Sequence, residues 1–66
     1  MVTFRIATNR RDFICNEHGD VYNFLYYTLN VDAGQAIDAA SWCELACIGE
    51  VYQGDDFIII VEENDT

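Results

Sequence analysis

The chain has 66 residues, enough for one domain, and a chain of this size buries only about 60% of the surface it exposes when unfolded. Twelve Asp and Glu stand against three Arg and no Lys, a formal net charge of −9, which repels phosphate backbones and anionic headgroups and so excludes direct binding of nucleic acid or a membrane surface. No apolar run reaches the roughly 18 residues of a membrane span, no signal-peptide pattern opens the chain, and 52% hydrophobic residues exclude a disordered tail.

In chain order, Val2, Phe4 and Ile6 alternate with Thr3, Arg5 and Ala7, the period of a strand buried on one face. Asn9 to Asp12 reads as a turn, Phe13-Ile14-Cys15 as a short second strand, and Asn16 to Asp20 as another turn. From Val21 to Leu29 the residues are mostly aromatic and aliphatic, a composition that favours a pleated surface and predicts a third, long strand. Asp32 is a good N-cap, Gln35 completes a capping-box spacing, and Val31 stands where a hydrophobic staple would pack on Ala36. A helix is therefore expected from about 33 to 48, stopped by Gly49. Val51-Tyr52 then reads as a brief strand, Gln53 to Asp56 as a turn and Phe57 to Glu62 as the last strand, with an acidic end, Glu62 to Thr66, that frays. Residues 1–66 thus predict a single acidic α+β domain, a mostly antiparallel sheet of three to five strands packed on one helix in the order β-β-β-α-β-β.

At about 100° per residue the helix gathers Ala36, Ala39, Ala40, Cys43, Ala46 and Cys47 on one arc. All are small, so the helix can lie close against a sheet whose own side chains, Phe4, Tyr27 and Phe57 among them, are large. Cys43 and Cys47 fit that arc as small buried hydrophobes, and three cysteines in a chain without a secretory signal predict free thiols. An alternative assigns them chemistry: Cys15-x-x-His18 with Cys43-x-x-x-Cys47 has the donor types of a three-cysteine, one-histidine zinc site. Trp42 and Leu45 fall on the opposite side, beside Asp38 and Ser41, either tucked under Val51-Tyr52 or standing at the centre of a partner surface.

The final strand is apolar at every position from Phe57 to Val61, the pattern of a strand covered on both faces, and one helix covers only one. Tyr22, Phe24 and Tyr26 with Ile58 and Ile60, or the reverse set if the register shifts by one, are expected on the far face, closed by a second copy of the chain, by a partner lying on it or by the loop from Phe13 to Asp20. Catalytic machinery is not evident, so no enzyme and no cofactor are expected. The one histidine, His18, lies in a turn, there is no lysine, and no phosphate-cradling glycine loop occurs.

A dense acidic surface speeds encounter with basic ones. The function expected is that of a cytoplasmic protein-binding module acting on a basic surface of a partner protein. Its contacts are drawn from Asp38, Glu44, Asp55, Asp56, Glu62 and Glu63, with Trp42 as an anchor. In size, acidity and lack of motifs the chain is similar to phage-encoded inhibitors of host defence, the DNA-mimicking anti-restriction and anti-CRISPR proteins, a likeness that carries no alignable motif and transfers no residues. The alternative from another class is a structural or assembly protein that functions as its own homodimer through the sheet face.

Overall fold

The computed structural model describes residues 1–45 and 47–64. Ala46, expected on the helix's buried arc, and Asp65 and Thr66, expected at the frayed end, lie outside them. In chain order the elements are β1 (Val2–Thr8), β2 (Asp12–Cys15), α1 (His18–Asn23) continued by a π-helical segment (Phe24–Thr28), α2 (Ala33–Glu44), β3 (Gly49–Gln53) and β4 (Phe57–Glu63). The four strands form one antiparallel sheet in the order β2-β1-β4-β3. This is the α+β, antiparallel arrangement the sequence predicts, with two helical elements where one was expected.

The register sorts the side chains. Phe4 faces Val61, Ile6 faces Ile59 and Thr8 faces Phe57 on the inner side, where Cys15 and Phe13 join from β2 and Tyr52 from β3. Across from them Val21, Leu25, Ala36, Ala39 and Cys43 complete the core. Ile6, Val21, Leu25, Ile59 and Val61 are fully buried, each contributing about 1.5–3 kcal/mol by leaving water. As the sequence predicts, α2 approaches on its small residues, which leave room for the bulkier sheet.

Three expectations are corrected. From Val21 the expected strand is helical as far as Thr28, because Val21, Leu25 and Leu29 recur every four residues and put one apolar stripe on the core, while Tyr27 faces solvent. The helical run is closed by Asn30 in the left-handed conformation (φ 58°), across which the Val31 N–H donates to the Leu25 carbonyl at 2.8 Å. Second, α2 ends at Glu44 rather than near Ile48, so Cys47 leaves the buried arc and is exposed. Gly49 (φ 119°) serves to start β3 instead of stopping the helix. Third, Glu62 and Glu63 belong to β4, held in register by β1 and by Asn64, whose N–H donates to the Met1 carbonyl at 2.7 Å.

Asp32 caps α2 as expected, its carboxylate accepting from the Gly34 N–H at 3.0 Å. The β3–β4 hairpin is closed by the Gly54 N–H donating to the Phe57 carbonyl at 2.8 Å, and the buried Phe57 ring fills the space a Cβ at Gly54 would need.

Candidate functional site

The cations are Arg5, Arg10 and Arg11, all within β1 and the turn into β2. From Asp12 onward the chain contains no Lys or Arg, and the side chains that carry a full charge at neutral pH are carboxylates. Among the described residues the paired carboxylates are Asp12 and Glu62, both bound by Arg5, and Glu63, 3.7 Å from the Met1 amino group. Glu17, Asp20, Asp32, Asp38, Glu44, Glu50, Asp55 and Asp56 have no ion pair among the described residues, so their field reaches solvent.

Three surfaces carry the residues that the sequence singles out, and the fold keeps them apart. The first is the outward side of α2. Ala36, Ala39 and Cys43 take its inner arc, which leaves Ile37, Ser41 and Leu45 in a row of four-residue steps pointing away from the core. Leu45 is 76% exposed, Ile37 57% and Trp42 51%, so Trp42 and Leu45 are not sheltered by β3. Glu44 ends the helix beside this row. Asp38 lies on the flank toward β3, near the Tyr52 hydroxyl, whose pKa is raised by burial and then by the Asp38 charge.

The second surface is the end of the sheet where both hairpin turns meet the linker between the helices. Thr8–Arg10, Leu29–Asp32, Gln35 and Asp55–Phe57 enclose an open cleft of about 540 Å³. Asp55 and Asp56 stand there with Asp32, facing Arg10 as the one cation of the lining. The third is the outer side of the sheet. Here Ile14, Ile58, Ile60 and Ala7 surround Arg5, whose guanidinium reaches across β1 to bind Asp12 on β2 (3.3 Å) and Glu62 on β4. These two carboxylates raise the Arg5 pKa, the Glu62 hydrogen bond most. No segment of the described chain crosses this side: the residues after Phe13 turn into α1 on the inner side, and Tyr22, Phe24 and Tyr26 are helical, with Tyr22 and Tyr26 stacked at 5.8 Å. Ile58 and Ile60, expected beside Tyr22, Phe24 and Tyr26, instead lie between Ala7 and Arg5 of β1 and Gln53 and Glu50 of β3.

The thiols divide by burial. Cys15 and Cys43 are buried close together in the core, and Cys43 is pushed up to about 11 by burial and by its Cys15 neighbour. A thiol held protonated is a poor nucleophile and metal ligand. Cys47 is exposed, and among the described residues no group of three or more His, Cys, Asp or Glu side chains is gathered for a metal ion. His18 begins α1 in solvent. No described helix is long and apolar enough to cross a membrane.

Two surface elements were not singled out from the sequence. Ile37 shows its place only once α2's inner arc is known, although its spacing of eight from Leu45 is a readable signal. Asp32, read as a helix cap, also lines the acidic cleft, which depends on a topology no local pattern contains. Comparison with protein-family models, with curated proteins and with solved structures found no match.

Proposed function

We propose that this chain is a small acidic protein-binding module that covers a basic surface of a larger protein and thereby inhibits it, in the manner of a nucleic-acid mimic such as phages direct against host defence. The observation that carries this reading is the confinement of all three arginines to residues 5–11. Beyond them, apart from Asp12, Glu62 and Glu63, the described carboxylates have no ion pair and stand on several sides of the fold, in the charge sense of a phosphate backbone. A partner with a basic groove gains long-range attraction and rapid association, and α2 adds the apolar contact that charge alone lacks. Its work is binding rather than catalysis, since the buried thiols are held protonated and His18 stands alone in solvent.

Affinity capture from the native host, followed by mass spectrometry, identifies the partner. With that partner in hand, Asp55→Lys with Asp56→Lys slows association and flattens its dependence on salt, read by stopped flow. Association rates indifferent both to this reversal and to added salt would remove acidity as the means of recognition.

A second reading rests on the outer side of the sheet, where Ile14 of β2 and Ile58 and Ile60 of β4 flank Ala7 and Arg5 of β1 with no described segment lying over them. In that reading the chain functions as its own dimer. Light scattering that reports a strict monomer at high concentration excludes it.

A further inference from the structure

We infer that the outward face of α2 is the anchoring surface of this module, and that its occupant is a protein segment presenting aliphatic side chains flanked by Lys or Arg. The inference rests on the binding-module reading above and names the part of the molecule that makes the short-range contact.

Four observations converge on this face. Ile37 and Leu45, two helical turns apart along one row, are both more than half exposed, and Trp42 borders the row with half its surface in water. Exposed aliphatic groups aligned on a helix with an adjoining tryptophan are the composition of an interface centre. Asp38 and Glu44 border the row, and α2 carries no cation along its length.

The fourth observation concerns the placement of Glu44. A helix C-terminus bears the negative end of the peptide dipoles, where cations stabilise and anions oppose folding. The last turn of α2 has no basic residue and ends in Glu44, so two negative sources lie together at the Leu45 end of the row. A Lys or Arg from a partner relieves both at once.

A second copy of this chain is the poorer occupant. Two α2 faces brought together would set Asp38 and Glu44 against their own counterparts with no cation between them. The same reasoning disfavours a nucleic acid or an anionic lipid.

Trp42 is the only tryptophan of the chain, so its emission reports on this face directly. The probes are two labelled synthetic helical peptides of equal lysine content and no tryptophan, one carrying leucines along a single face and the other serines in their place. Each is titrated into the full chain at low and at raised salt, with peptide anisotropy and Trp42 emission followed together. The leucine peptide is expected to bind about tenfold or more tighter than the serine peptide and to move Trp42 emission to the blue. In Ile37→Ser with Leu45→Ser that advantage and that shift disappear, while salt-sensitive binding of the serine peptide persists.

Equal binding of the two peptides, or an unmoved Trp42 signal on leucine-peptide binding, overturns the anchor and leaves the acidic module standing. Failure of both peptides to bind even at low salt removes the module reading, and the anchor with it. A blue shift driven by protein concentration alone, without peptide, assigns the face to a second copy and also overturns the inference. The peptide comparison on the parent chain decides the matter independently of how the double variant folds.

Discussion

Cys43 shows how one residue's environment decides between two chemistries that its sequence context leaves open. Its sulfur is available to a metal or an oxidant only as a thiolate, and burial beside Cys15 disfavours that charge, raising the pKa from 9.0 to about 11. Folding therefore protects the neutral thiol. Because the native pKa lies above the unfolded one, the stabilisation is complete below pH 9 and is lost progressively as the pH climbs toward about 11. Cys15, raised chiefly by burial, and Tyr52, raised by burial and the nearby Asp38, act in the same direction. The thermal midpoint should consequently fall over that alkaline interval, and replacing Cys43 with Ala should flatten the fall, whatever it does to the midpoint at neutral pH. Differential scanning fluorimetry across the range checks this, and a midpoint equally steep in both proteins contradicts it.

Asn30 governs the element that composition alone misassigns. The residues from Val21 to Leu29 are aromatic and β-branched enough for a strand, and their apolar positions fit a period of two almost as well as a period of four. What selects the helix lies elsewhere in the chain: the inner side of a four-stranded sheet is wider than α2 alone can cover, and Val21 and Leu25 fill the remainder. By contrast β1 and the Asp32 cap were readable because strict alternation and a side-chain hydrogen bond are local signals, whereas β4, apolar at every position from Phe57 to Val61, left its inward set to be decided by register. The surface residues were readable one at a time, since charge predicts exposure. Their separation onto three sides was not, because it follows from strand order.

With φ at 58°, position 30 tolerates glycine at little or no cost, whereas a β-branched side chain there is strained. Asn30→Val should lose about 1–2 kcal/mol and Asn30→Gly should stay within about 0.5 kcal/mol of the parent, by urea denaturation. Equal losses for both would mean that the left-handed residue does not terminate this helical run.

At the scale of the whole molecule, a formal charge of −9 on 66 residues opposes compaction. Only Arg5 and the Met1 amino group hold carboxylates in pairs among the described residues, and water and salt screen such solvent-facing pairs, which contribute little. Repulsion among the unpaired carboxylates therefore dominates the response to screening. Raising sodium chloride from low to physiological strength, where fields fade over roughly 8–10 Å, should raise the melting temperature. A decrease would show that the Arg5 clamp outweighs the repulsion. The same salt that steadies the fold weakens capture of a basic partner, so stability and binding respond to ionic strength in opposite directions.

The first and last strands, β1 and β4, occupy the middle of the sheet and hydrogen-bond to one another along their full length. During synthesis, β1 can pair with β2 soon after emerging, yet the seam that joins the two hairpins waits until Glu63 has left the ribosome tunnel. Until then the nascent chain carries two unfinished half-sheets, and a truncation that removes β4 strands Ile6 and Phe4 without a facing neighbour on that side.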